Sequence, residues 1–291
     1  MVSPTIPGAG LLGEERAIPT ADGRTLRAMV SGDGPDLVVL EAGLGISGMY
    51  WGPVVDVLAT SVRVVAYERA GYGASDPSTQ PRTLARLADD LRTVIDAFPH
   101  ERLVLVGHSW GGPIVRTLAA LRGVSLEGIV LVDPSDENAA LYFAPMVKRH
   151  FAAQAATLVP LAGLRLLGPL SRATTNGLPE PRRSAVIAAS SSVAAARAAA
   201  AEQRLFIDEL RALKGTPSAL GDLPVRVISG QLADPFGAKI RVALDRAHRQ
   251  TAEQNAGAVY VAAHESAHMI PLTEPGLIAS ETIALFTPSA R

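Results

Sequence analysis

The stretch Leu103-Val104-Leu105-Val106-Gly107-His108-Ser109-Trp110-Gly111-Gly112-Pro113-Ile114, running on to Leu121, decides the fold. Leu103 to Val106 is a short unbroken apolar run of the kind found in strands covered on both faces, and Ile114–Leu121 repeats apolar residues at helical spacing. Only Gly107 to Pro113 separate the two, so the chain must turn sharply from strand into helix. Side chains at Gly107 and Gly111 would crowd such a turn. A serine at its apex is lifted clear of the sheet, where its hydroxyl is available for chemistry.

The same pattern extends outward in both directions. Leu37–Leu40, Val62–Tyr67, Ile129–Val132, Val225–Ser229 and Val259–Ala262 are short runs rich in Val, Ile and Leu. Helical patterns separate them. The clearest is Leu84–Phe98, with Leu84, Leu87, Leu91, Val94, Ile95 and Phe98 behind a Thr83 cap, and Lys239–Gln254 and Pro275–Phe286 follow later. Strand alternating with helix predicts a mostly parallel sheet with helices on both faces. Ahead of it, Glu14–Thr20 and Arg24–Ser31 flank Ala21-Asp22-Gly23, a hairpin signal that predicts an antiparallel start. The alternation stops at Pro134 and resumes at Val225. No convincing strand falls in residues 135–223, far more chain than the usual connection of about 2–6 residues. This segment, with an Ala-rich run Val193–Ala201 and an apolar stretch Leu158–Leu170, is expected to be an inserted helical cap, leaving 1–134 and 224–291 as the core.

Composition bounds the function. A chain of 291 residues that is 48% hydrophobic and 19% charged buries a sizeable core. With 27 Lys plus Arg against 28 Asp plus Glu there is no surplus positive charge to condense on phosphates, so a small molecule and not nucleic acid is the expected partner. The absence of Cys removes disulfides, thiolate metal sites and Cys nucleophiles together. Met1–Leu12 carries Pro and Gly where a signal peptide needs an apolar helical run, and no stretch of about 18 uninterrupted apolar residues occurs, which predicts a cytoplasmic protein without a membrane span.

Gly107–Gly112 resembles the nucleophile elbow of the α/β-hydrolase fold superfamily, and the resemblance covers nearly the whole chain. Similar proteins carry a glycine-containing loop after the third strand, here Glu41-Ala42-Gly43-Leu44-Gly45, and a D-R-G-x-G-x-S-like stretch after the fourth, here Glu68-Arg69-Ala70-Gly71-Tyr72-Gly73-Ala74-Ser75. Glu41 stands where His is commoner, and Ala70 interrupts the Arg-Gly pair. The resemblance implies Ser109 as nucleophile, the backbone N–H groups of Leu44 and Trp110 as oxyanion donors, and His268, in Ser266-Ala267-His268-Met269-Ile270-Pro271, as base, with His264 its competitor. For the acid it implies Asp234, after Val225–Ser229, giving the chain order Ser, Asp, His; Asp133, at the end of Ile129–Val132, is the alternative. His108 belongs to the elbow, and His100, His150 and His248 read as surface residues.

Two literal motifs are set aside. Gly43-Leu44-Gly45-Ile46-Ser47-Gly48, with Glu68 at the end of the next strand, spells a dinucleotide fingerprint, but Gly52 and Pro53 would fall inside the helix that must open there. That helix is expected near Trp51 instead. His264-Glu265-Ser266-Ala267-His268 spells a zinc-protease signature, yet a strand ends just before it and Pro271 follows, leaving room for barely one helical turn. The resulting expectation is a serine hydrolase cleaving an acyl bond, foremost a carboxylic ester, with no cofactor or metal. A Ser nucleophile disfavours the alkyl-enzyme chemistry of dehalogenases and epoxide hydrolases. A cofactor-free perhydrolase or haloperoxidase, a slow-turnover receptor and a zinc peptidase are the alternatives. Leu158, Leu161, Leu164, Leu166 and Leu167 are expected to wall an acyl pocket or to pack the cap onto the core.

Overall fold

The computed structural model describes residues 8, 10–121, 123–172, 174–215, 220–233 and 237–287. Strands form at each apolar run: β1 Glu14–Pro19, β2 Thr25–Ser31, β3 Asp36–Glu41, β4 Arg63–Tyr67, β5 Arg102–His108, β6 Gly128–Val132, β7 Val225–Gly230 and β8 Ala258–Ala263. They make one sheet in the order β1, β2, β4, β3, β5, β6, β7, β8. β2 runs antiparallel to β1 and β4, as the Asp22-Gly23 turn predicts, and every pair from β4 to β8 is parallel.

The helices are α1 Gly52–Leu58, α2 Leu84–Asp96, α3 Gly111–Ala120, α4 Pro145–Gly163, α5 Leu167–Ser171, α6 Arg182–Ser191, α7 Val193–Gly215, α8 Ala238–Glu253, α9 Ile270–Thr273 and α10 Pro275–Ala284. α2 starts behind Thr83, whose hydroxyl accepts from Arg86 N–H. α1 opens at Gly52 with Pro53 in its first turn, where a missing N–H costs nothing.

Alternation in the central strands shows why they are apolar throughout. Leu37, Val39, Leu103, Leu105, Ile129 and Leu131 meet α2 and α3 on one face. Val38, Leu40, Val104, Val106, Val130 and Val132 meet α1 and α10 on the other. With a two-residue period, both faces are dry only if every position is apolar.

Between β6 and β7 the described residues form helices and no strand. α4 packs along α7, and Phe206, Ile207 and Leu210 of α7 join the core cluster that holds Trp110 and Ile114. Trp110, Phe206 and Phe151 of α4 stack at 4.6 and 4.9 Å between ring centroids. α4 continues through Pro160, which places Leu158 and Leu161 on its inner side. Leu164 and Leu166 are exposed beyond it and are not in the lining of the cavity over Ser109. Among the described residues no single helix is long and apolar enough to cross a membrane.

Candidate active site

Ser109 sits where β5 hands over to α3, with its backbone in the left-handed region at φ 53°. Such a conformation costs about 1–3 kcal/mol in a non-glycine residue and persists only where its surroundings impose it. They do so here: Ser109 N–H donates to Val132 O at 3.0 Å, and Ser109 O accepts from Gly112 and Ser135 N–H at 3.0 Å each. A Cβ at Gly107 would lie 2.4 Å from Gly111 O, and one at Gly111 would lie 2.4 Å from Glu41 O. The two glycines are therefore required by close packing, as the spacing predicts.

His268 lies in the loop after β8. A Cβ at Gly230 would stand 2.2 Å from Ala267 O, so only glycine lets this loop close over the end of β7. Leu232 N–H donates to Ser266 O at 2.8 Å, and His108 Nε2 donates to His268 O at 2.9 Å. The His268 ring then reaches both ways, with Nε2 3.1 Å from Ser109 Oγ and Nδ1 2.7 Å from Asp133 Oδ2. Half of the His268 side chain is open to solvent, whereas Asp133 is fully buried. Since a carboxylate only accepts, Nδ1 carries the proton and Nε2 is free to accept from the serine hydroxyl.

Asp133, also at positive φ, collects further donors: Gly230 N–H at 3.0 Å and Arg241 Nη1 at 2.9 Å. Burial alone would raise its carboxyl, but the hydrogen bond and charge of His268, with His248 and Arg241, hold it well below the usual carboxylate range. Of the two carboxylates considered for the acid, Asp133 is the one seen on His268. Asp234 lies outside the described residues.

His248 is a correction. It faces inward from α8 and is fully buried; its Nε2 donates to Pro134 O at 2.9 Å, and its Nδ1 meets the Ser229 hydroxyl at 2.8 Å. Arg241 and His248 were not separable in sequence from the surface of an ordinary charged helix. The signal available was their seven-residue spacing, which puts both on the face that Ala252 buries. His108 is buried against Tyr50, whose hydroxyl meets Nδ1 at 2.8 Å. Desolvation, then the nearby His268, lowers its pKa to about 3, so it stays neutral.

The loop Glu41–Gly45 is held from below. Arg69 donates to Ala42 O at 2.6 Å, to Gly43 O at 2.7 Å, to Glu41 at 2.8 Å and to Glu202 of α7 at 3.0 Å; Arg82 donates to Glu202 at 2.6 Å, and Tyr67 to Glu41. Glu41, at the position where His is commoner, is thus an ion-pair partner for Arg69. Glu68 is buried and spent on Ser47 Oγ at 2.5 Å and Gly48 N–H at 3.0 Å, so it is closed to a ribose. Among the described residues the N–H groups of Leu44 and Trp110 have no acceptor; Leu44 lines a cavity with Ser109, and Trp110 opens α3. Residues 264–269 are turn and loop, so His264 and His268 do not share a helix face.

The cavity above Ser109 and His268 measures about 530 Å³. Phe151, Leu158 and Leu167 from α4 and α5, with Ala196, Ala199 and Phe206 from α7, give it a mostly apolar wall.

Comparison with known proteins gives a consistent picture. The chain is 39% identical over 97 residues to a protein named as the carbamate hydrolase RutD, from Caulobacter sp. (strain K31), covering 33% of this chain and 36% of that one. It is 38% identical over 103 residues to the RutD-named protein of Enterobacter cloacae, 35% of this chain and 38% of that one. The match therefore spans little more than a third of the length of these curated relatives. Among solved structures, the Cif epoxide hydrolase from Acinetobacter nosocomialis superposes with a TM-score of 0.76 at 15% identity, covering 94% of this chain and 89% of the other. The esterase EaEST from Exiguobacterium antarcticum gives 0.70 at 19%, covering 94% and 100%. The enol-lactonase from Burkholderia xenovorans LB400 gives 0.66 at 22%, covering 94% and 100%. At these identities the superpositions speak for the fold alone. The family description alpha/beta hydrolase fold matches residues 35–201, more than half of the chain, and the chain belongs to that family.

Proposed function

We propose that the protein is a serine hydrolase that cleaves an acyl bond, foremost a carboxylic ester, in a small and largely apolar substrate. The observation that carries this reading is the single imidazole of His268 within hydrogen-bond reach of both Ser109 Oγ and Asp133 Oδ2. Serine is a weak nucleophile unless a base is placed to take its proton and a carboxylate orients that base. In the proposed sequence, Ser109 Oγ attacks the carbonyl as His268 Nε2 takes its proton, and Asp133 stabilises the imidazolium. Leu44 and Trp110 N–H meet the developing oxyanion, donors of a kind each worth about 3 kcal/mol, at the positive end of α3. The alcohol leaves with the proton from His268. Water, deprotonated by His268, then attacks the acyl-enzyme and releases the acid. None of these steps calls for a cofactor.

Residues 135–223, with α4 to α7, would act as the cap whose apolar wall receives the acyl group. The name carbamate hydrolase among the sequence relatives is in keeping with attack at a carbonyl. A fluorophosphonate probe should label Ser109, located by peptide mapping, and a graded panel of p-nitrophenyl esters should be turned over. Ser109→Ala should lose labelling and about 10⁴- to 10⁶-fold in turnover. Full ester hydrolysis by pure Ser109→Ala protein would rule the mechanism out.

A further inference from the structure

Two glutamines interrupt the apolar wall of the cavity over Ser109. Gln154 of α4 and Gln203 of α7 both line it, and Gln203 Nε2 donates to Gln154 Oε1 at 2.5 Å. Gln203 is only 5% exposed and stands among Phe151, Leu158 and Phe206. Its neighbour Glu202 is turned the other way, into the Arg69 and Arg82 ion pairs. A glutamine amide carries two N–H donors and an oxygen with two lone pairs, and the bond to Gln154 uses one N–H. Among the described residues no group donates to Gln203 Oε1, that oxygen is not among the sealed, unpaired atoms, and the residue lines the cavity. Exchanging both amides end for end leaves the same site presenting N–H instead.

A polar group that opens onto a cavity takes its remaining hydrogen bonds from water. An alkyl chain that displaces the water replaces none of its hydrogen bonds, whereas a hydroxyl or amide on the substrate restores them. A site built this way discriminates by the penalty on the group left unpaired. We infer that the Gln154–Gln203 pair anchors a polar group on the acyl chain, so that the preferred substrate is an ester whose acyl part carries a hydroxyl or amide remote from the scissile carbonyl. This rests on Ser109 being the acyl-transfer nucleophile. A pair that merely ties α4 to α7 would affect stability but not the choice between matched chains.

The test uses ethyl esters of medium-length straight-chain acids, each paired with a twin carrying one hydroxyl moved along the chain. Release of acid gives kcat/KM for the wild type, and calorimetry gives binding of the intact esters to Ser109→Ala. One hydroxyl position should be favoured roughly tenfold over its alkyl twin in both measurements, the scale of one net hydrogen bond. Gln203→Leu should reverse that order, and Gln154→Leu, on the open side of the pair, should weaken it. Absence of any favoured hydroxyl position overturns the inference, as does a preference that survives Gln203→Leu, or variants that lower only the melting temperature. Because binding needs no turnover, a preference seen on Ser109→Ala without hydrolysis by the wild type would overturn the hydrolase reading and leave the anchor standing.

Discussion

His108 shows how one buried side chain near the site ties stability to acidity. It donates to His268 O and accepts from Tyr50, and burial with the neighbouring imidazole lowers its pKa from 6.5 to about 3. The unfolded chain therefore binds a proton between those values that the folded chain refuses. Stability is fully present above 6.5 and falls as pH drops toward 3, by up to about 1.4 kcal/mol per pH unit from this one group. Asp133 has the same sign in a lower window: its carboxyl is held below the ordinary 3.8, so its contribution is lost only under still stronger acid. Urea unfolding at pH 7, 5.5 and 4.5 should show the loss in the wild type and a flatter profile in His108→Gln. Equal slopes in both proteins would contradict the assignment. His268 and His248 make the complementary point about legibility. His268 was readable from its place after the last strand, whereas burial of His248 depends on which face of α8 meets Ser229 and Pro134, a choice made by packing and not by local pattern.

At the scale of elements, the strands were legible because burial on both faces leaves only apolar residues to choose from, and the sharp turn at Ser109 because close packing leaves only glycine. The link from α7 to the Glu41–Gly45 loop was not. Its members, Glu41, Arg69, Arg82 and Glu202, are far apart in sequence, and each alone reads as a solvated charge. Folded, they form a buried set of two cations and two anions that grips the carbonyls of Ala42 and Gly43. Glu202→Gln leaves one buried positive charge uncompensated, a change that typically costs about 3–5 kcal/mol. The expected outcome is a loss of that order in denaturant unfolding together with a lower kcat, because the loop bearing the proposed Leu44 donor loses its support. A stability near that of the wild type would show that the network does not hold the loop.

Across the whole molecule, the parallel sheet delivers its strand ends to one edge, where ligands of open α/β sheets bind. Ser109 follows β5, Asp133 follows β6, and His268 follows β8. Strand order alone admits an acid after either β6 or β7, which is why the sequence left both Asp133 and Asp234 in contention. His268 Nδ1 meets Asp133, and its loop is held by the His108 bond to the His268 carbonyl and by the crossing at Gly230. Neither of these is visible in one dimension.

The most direct measurement is kcat/KM on the best ester for Asp133→Asn and Asp234→Asn, each shown to be folded by circular dichroism. Asp133→Asn should fall about 10⁴-fold, as expected when the base loses its orienting carboxylate, with Asp234→Asn close to the wild type. Wild-type rates in Asp133→Asn, with the large loss in Asp234→Asn instead, would contradict the account.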